Sequence, residues 1–219
     1  MVRAKICGLN DPASVAAGVE GGAAFVGFVF YPPSPRAVTP AQAAALATGV
    51  PPRVTKVGLF VDADDATLAA TLATVALDMV QLHGGETPER VTAVRRRHGL
   101  PVMKALKIAA AEDVARAAAY ETAADWLLFD AKPPTSMTGA LPGGNALAFD
   151  WRLVRGQRWR LPWMLSGGLD AGNVAEAVAI SGASAVDVSS GVERRPGEKD
   201  TARISAFLGA VAALGDGNG

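Results

Sequence analysis

Short apolar, β-branched runs alternate with helix-patterned stretches about eight times along this chain. The strand-patterned runs are Ala4–Cys7, Ala24–Phe30, Lys56–Val61, Met79–Leu82, Val102–Leu106, Trp126–Phe129, Trp163–Leu165 and Ala185–Val188. They are mostly apolar, as expected of strands buried on both faces of a parallel sheet. Helices are expected between them at Ser14–Glu20, Pro40–Ala47, Asp65–Val75, Pro88–Arg97, Ala110–Tyr120, Phe149–Val154, Val174–Ile180 and Thr201–Leu214. Asp11-Pro12, Thr39-Pro40 and Thr87-Pro88 each place a capping side chain before a proline suited to a first helical turn. Regular β-then-α order predicts a parallel sheet with crossover helices. Eight such units make a single (β/α)₈ barrel over residues 1–214, with 215–219 as a frayed tail. A doubly wound open sheet shares this periodicity.

The bulk numbers agree with one barrel. Its 219 residues lie near the lower end for this architecture, roughly 200–250. Half the residues are hydrophobic, ample for a substantial core. Lys plus Arg and Asp plus Glu both number 21, so net charge gives no argument for a nucleic-acid or membrane partner. The one cysteine cannot form an internal disulfide, and no signal-peptide pattern opens the chain. A cytoplasmic protein is the expectation. No Cys/His cluster, Walker loop or dinucleotide fingerprint is present, so neither a metal nor an organic cofactor is expected.

A barrel carries its active site at the C-terminal ends of its strands. Cys7 ends the first, Arg36 follows the second, His83 follows the fourth and Asp130 the sixth. Loops after the seventh and eighth strands supply phosphate sites in many barrels, because glycines let backbone N–H groups approach an oxyanion. Ser166-Gly167-Gly168-Leu169 and Asp187-Val188-Ser189-Ser190-Gly191 fit that role better together than as simple chain reversals. Cys7 reads either as a small buried hydrophobe or as a base or nucleophile. Asp130 reads as a loop anchor or a general acid. Arg36 offers a planar fork for a carboxylate or phosphate. His83 and Asp187 are expected to line the pocket.

These segments also carry a resemblance. Lys5-Ile6-Cys7-Gly8, Gly27-Phe28-Val29-Phe30 with Ser34-Pro35-Arg36, Val80-Gln81-Leu82-His83-Gly84, Phe149-Asp150-Trp151 and Val186 to Glu193 with Pro196-Gly197 resemble the phosphoribosylanthranilate isomerases of tryptophan biosynthesis. The resemblance implies a cofactor-free Amadori rearrangement of a phosphorylated sugar-anthranilate. It implies Cys7 as general base and Asp130 as general acid. It assigns Arg36 to the substrate carboxylate, and Gly167, Gly168, Ser189, Ser190 and Gly191 to its phosphate. The chain departs from the family pattern at Gly143–Ala148, where the usual lysine is absent. Three alternatives accompany this reading. One is the related histidine-pathway isomerase, and another a non-catalytic phosphate-binding barrel. The third is the indole-forming synthase of the same fold, which would need a strand-end lysine such as Lys104 or Lys107. Whether the protein is a monomer or a homodimer is left open.

Overall fold

The computed structural model describes residues 1–215 except 135, 138 and 140. The tail expected at 215–219 therefore lies, beyond Gly215, outside the described residues. Eight parallel strands pair in chain order and close into a barrel. They are β1 (Arg3–Cys7), β2 (Phe25–Val29), β3 (Thr55–Phe60), β4 (Met79–Leu82), β5 (Val102–Ile108), β6 (Trp126–Ala131), β7 (Trp163–Leu165) and β8 (Ala185–Val188). Closure is made by β1 against β8, with Lys5 beside Asp187 and Ile6 beside Val188. That pairing excludes the open sheet.

The helices around it are α1 (Pro12–Glu20), α2 (Pro40–Ala47), α3 (Asp65–Thr74), α4 (Pro88–His98), α5 (Ala111–Ala115), α6 (Val174–Ser181) and α7 (Thr201–Ala213). The expected caps form. Asp11 accepts from the Ser14 amide at 2.9 Å, and Thr39 and Gln42 make a reciprocal capping box. Thr87 caps α4, which ends at Gly99 with φ 65°. The expected helix at Phe149–Val154 is instead one 3₁₀ turn, Trp151–Val154, begun by Asp150. The Ala110–Tyr120 stretch divides into α5 and a 3₁₀ segment. After β8 the chain makes a 3₁₀ turn at Ser190–Val192 and a small antiparallel hairpin, β9 (Glu193–Arg195) and β10 (Glu198–Lys199).

Alternation along each strand divides the core. Ile6, Val26, Phe28, Leu127, Phe129 and their neighbours face outward and pack under the helices. Phe25, Val57, Met79, Met103, Leu128 and Met164 face inward and fill the barrel's lower interior. Arg3 closes the bottom, its guanidinium 4.6 Å from the Trp126 ring centre. Above this apolar plug the inward positions become polar: Lys5, Gln81, Ser166 and Asp187, all buried. A plugged lower half leaves the upper rim as the place where a ligand can enter.

Candidate active site

A cavity enclosing about 720 Å³ opens at the C-terminal rim, its space counted out to solvent. Its wall includes Cys7, Arg36, His83, Asp130, Gly167, Gly168, Asp187, Ser189 and Ser190. The structure thus gathers nearly all the sequence-selected residues, from six different strand ends, around one space. Gly191 is the exception and does not line it. A Cβ at Gly191 would stand 2.0 Å from the Leu169 carbonyl oxygen, so this glycine lets the two anion loops pack together behind the wall.

Cys7 is the last residue of β1, and 4% of its surface is exposed. Burial pushes its thiol up, and the nearby Lys5 ammonium acts in the opposite direction. Asp130, on β6, accepts the Ala131 amide through Oδ1 at 2.9 Å. Its Oδ2 lies 3.1 Å from His83 Nε2, and His83 Nδ1 lies 2.9 Å from the Gln81 amide nitrogen. When that amide donates to Nδ1, the neutral ring carries its proton on Nε2, facing Asp130. His83 thus orients the Asp130 carboxyl as well as lining the pocket.

Arg36 is more constrained than a solvated loop arginine. Its Nε and Nη2 donate to the two Glu193 oxygens at 2.7 and 2.8 Å, and Nη2 also reaches the Gly144 carbonyl at 3.1 Å. Lys199 donates to Glu193 at 2.7 Å and to the Ser189 carbonyl at 2.8 Å. Burial would raise the Glu193 carboxyl, but Arg36 and Lys199 outweigh it and hold the group below its ordinary value. Burial lowers Lys199. The β9–β10 hairpin therefore serves as a bracket that fixes Arg36 and the Ser189 turn together. Among the described residues Arg36 Nη1 makes no hydrogen bond and remains an edge for a ligand.

Gly167 and Gly168 take φ 91° and 64°. A Cβ on Gly168 would meet the Ala148 amide at 2.8 Å, so a side chain there is excluded twice over. Ser189 donates its hydroxyl to the Cys7 carbonyl at 3.1 Å, tying the second anion loop to β1. The described part of the loop after β6 lies over the cavity. Gly143 leaves room for the acid, since a Cβ there would stand 2.8 Å from both Asp130 Oδ2 and His83 Nε2. Asn145 holds the turn by exchanging two hydrogen bonds with the Leu141 backbone, at 3.0 and 2.7 Å.

Lys104 does not line the cavity. Its ammonium is tied to Glu86 at 2.6 Å and to the Gly84 carbonyl at 2.7 Å, and Lys107 is exposed. Neither lysine is placed for indole-ring chemistry. The sequence reading missed Lys5, Gln81, Glu193 and Lys199 as parts of the site. Only Lys5 left a usable signal, a charged residue two places before Cys7 in an apolar strand.

The model of the N-(5'-phosphoribosyl)anthranilate isomerase family matches residues 4–210. The chain belongs to this family. It is 61% identical over 213 residues to the N-(5'-phosphoribosyl)anthranilate isomerase of Rhodospirillum centenum, covering 97% of this chain and 99% of that one. It is 58% identical over 210 residues to that of Paramagnetospirillum magneticum, covering 96% and 97%. The phosphoribosyl anthranilate isomerase of Thermotoga maritima superposes with a TM-score of 0.84 at 37% identity, over 98% of this chain and all of that one. A structure of a phosphoribosyl anthranilate isomerase bound to reduced 1-(o-carboxyphenylamino)-1-deoxyribulose 5-phosphate superposes with a TM-score of 0.83 at 36% identity, over 98% and 100%. As a member of this family the chain is an enzyme, an isomerase. No helix among the described residues is long and apolar enough to cross a membrane.

Proposed function

We propose that this isomerase converts N-(5-phosphoribosyl)anthranilate to 1-(2-carboxyphenylamino)-1-deoxyribulose 5-phosphate, with Cys7 as general base and Asp130 as general acid. One observation carries this reading: the thiol and the carboxyl line one cavity that also holds an arginine edge and two glycine-rich anion loops. The substrate has an anion at each end, a benzoate and a phosphate. Arg36 Nη1 takes the carboxylate, and the amides around Gly168, Ser189 and Ser190 take the phosphate. Two fixed ends suspend the sugar carbons between acid and base, which lowers the barrier by positioning.

Protonated Asp130 gives its proton to the furanose oxygen. The C1–O bond breaks, and the anthranilate nitrogen supplies the electrons, forming a Schiff base. Cys7 as thiolate takes the C2 proton to leave an enolamine. The Cys7 thiol gives its proton to C1, and the C2 hydroxyl proton passes to the Asp130 carboxylate, which gives the ketone and restores both groups. Apart from the ring-opening C1–O cleavage, each step is a proton transfer, and in this scheme Cys7 and Asp130 carry the protons. The histidine-pathway reaction is disfavoured, because a cysteine stands where those enzymes carry an aspartate. Loss of catalysis is disfavoured because Cys7, Asp130, Arg36 and both glycine loops are retained around one cavity.

The enzyme's balanced charge gives no argument for a nucleic-acid or membrane partner, and its single cysteine suits a reducing cytoplasm. Whether it is a monomer or a homodimer is read by sedimentation. The direct test of function incubates the purified chain with freshly made phosphoribosylanthranilate and follows the loss of anthranilate-type fluorescence. Cys7→Ala and Asp130→Asn are each expected to lower kcat about 10²-fold or more. Near-wild-type turnover by either one would overturn the mechanism.

A further inference from the structure

Lys5 is wholly buried inside the barrel, where an ammonium is costly unless paired. Its Nζ donates to Asp187 Oδ1 at 2.9 Å, and Ser166 donates to Asp187 Oδ2 at 3.1 Å. Stability alone does not account for this pair, since apolar residues of similar volume in place of a buried ion pair are often neutral or stabilising. The layer beneath is built in that apolar way, from Met79, Met103, Leu128 and Met164.

The position of Lys5 points elsewhere. It stands two residues before Cys7 on β1, so both side chains enter the barrel on one face. Across the sheet Cys7 is in register with Gly27. A Cβ on Gly27 would come within 3.1 Å of the Cys7 sulfur and 3.3 Å of the Lys5 ammonium. The two groups converge over one glycine, and the missing side chain is what lets them approach. The geometry points to Lys5 as a positioning residue whose ammonium, anchored by Asp187, makes the Cys7 thiolate less costly to form when the base acts. This inference rests on the reading of Cys7 as the general base.

The surrounding charges agree. Burial is the main influence on the sulfur and opposes its ionisation, and Lys5 is the leading influence in favour. Asp187, from β8, works against ionisation, and Lys199, from the hairpin, works weakly for it. Lys199 is engaged by Glu193 and Ser189. Arg36 and Glu193 pair with each other, and His83 and Asp130 are bonded together on the same cavity's wall. The charge on Lys5 therefore outweighs that of its own anchor at the sulfur. Asp187 keeps Lys5 protonated through the cycle, so the proton taken from C2 stays on sulfur until C1 receives it.

The chain's single cysteine makes the test direct. The rate of iodoacetamide alkylation is measured against pH for wild type, Lys5→Met and Lys5→Arg. Lys5→Met is expected to move the alkylation midpoint upward and to slow the reaction at pH 7 about tenfold or more, because only the thiolate reacts. Lys5→Arg is expected to stay close to wild type. Coincident profiles for wild type and Lys5→Met would overturn the inference. If Lys5→Met fails to fold with Asp187 unpaired, the double variant Lys5→Met/Asp187→Asn removes both charges. Its midpoint is also expected to rise, and an unmoved midpoint there is equally fatal. In parallel, kcat of Lys5→Met is expected to fall with KM within about threefold. A raised midpoint with undiminished kcat would leave Lys5 tuning the sulfur and would instead refute Cys7 as the base.

Discussion

Gly168 shows how narrowly single residues are specified in this site. It takes φ 64°, and a Cβ would press on the Ala148 amide and the Leu147 carbonyl carbon at 2.8 Å. Gly168→Ala is expected to raise KM about tenfold or more while costing roughly 1–2 kcal/mol of stability from the left-handed backbone alone. Steady-state kinetics and thermal unfolding check the two effects separately. Arg36, proposed as the carboxylate anchor, is also a structural partner of Glu193. Arg36→Ala is expected to raise KM and also to lower stability, by up to about 3 kcal/mol, since Lys199 still neutralises the buried Glu193. Arg36→Lys should rescue neither fully, because an ammonium cannot reproduce the two-pronged contact with Glu193. An Arg36→Ala protein with unchanged KM would place the carboxylate anchor elsewhere. These residues were legible as chemistry in the sequence, but their partners were not. Glu193 and Arg36 are hydrogen-bonded across 157 positions, a separation no local pattern encodes.

At the scale of elements, local signals were dependable where they were strong. Proline after a capping side chain marked the starts of α1, α2 and α4. Thr87→Ala is expected to cost about 1 kcal/mol and lower Tm by roughly 2–4 °C while leaving kcat intact, because Thr87 does not line the rim cavity. A calorimetric scan with no shift would show that this cap contributes nothing measurable. The misreadings arose where helix propensity met a geometric constraint. Ala110–Tyr120 is rich in alanine and reads as one helix, yet it tightens to 3₁₀ after Ala115, bringing Tyr120 to donate to the Glu86 carbonyl at 2.9 Å. Propensity ranks residues for helix against coil and does not separate one helical pitch from another. The stretch before β7 had periodicity for a sixth helix but forms a 3₁₀ turn, which ends just before Gly156 at φ 72°, a left-handed backbone that does not continue a helix.

The whole molecule places its buried charges at one end of the barrel, and this sets its response to acid. Glu193 titrates below its ordinary value because Arg36 and Lys199 overcome the effect of burial. Its stabilising contribution is therefore complete above the unfolded glutamate value of about 4.3 and is lost as pH falls through the lower folded value. The Tm of wild type is expected to exceed that of Glu193→Gln at pH 6, with the gap closing as pH drops toward 3. A gap that stays constant across this range would mean that the ionised carboxylate is not what stabilises the hairpin. Closure of the barrel also belongs to this scale. Eight β-then-α units are compatible with a ring or an open sheet, and only the pairing of β1 with β8 separates them.

Periodicity, caps and glycine placement determined the strands, most helices and the residues that reach the rim, because each depends on neighbours close in the chain. The family resemblance did the same for the chemical roles now proposed. Tertiary structure alone decided that Lys5 pairs with Asp187, that His83 touches Asp130, and that a hairpin braces Arg36. Those contacts join strand ends brought together by closure. A buried charge finds its partner through the shape of the closed barrel, and an apolar pattern can report that a position is inside without naming what it faces.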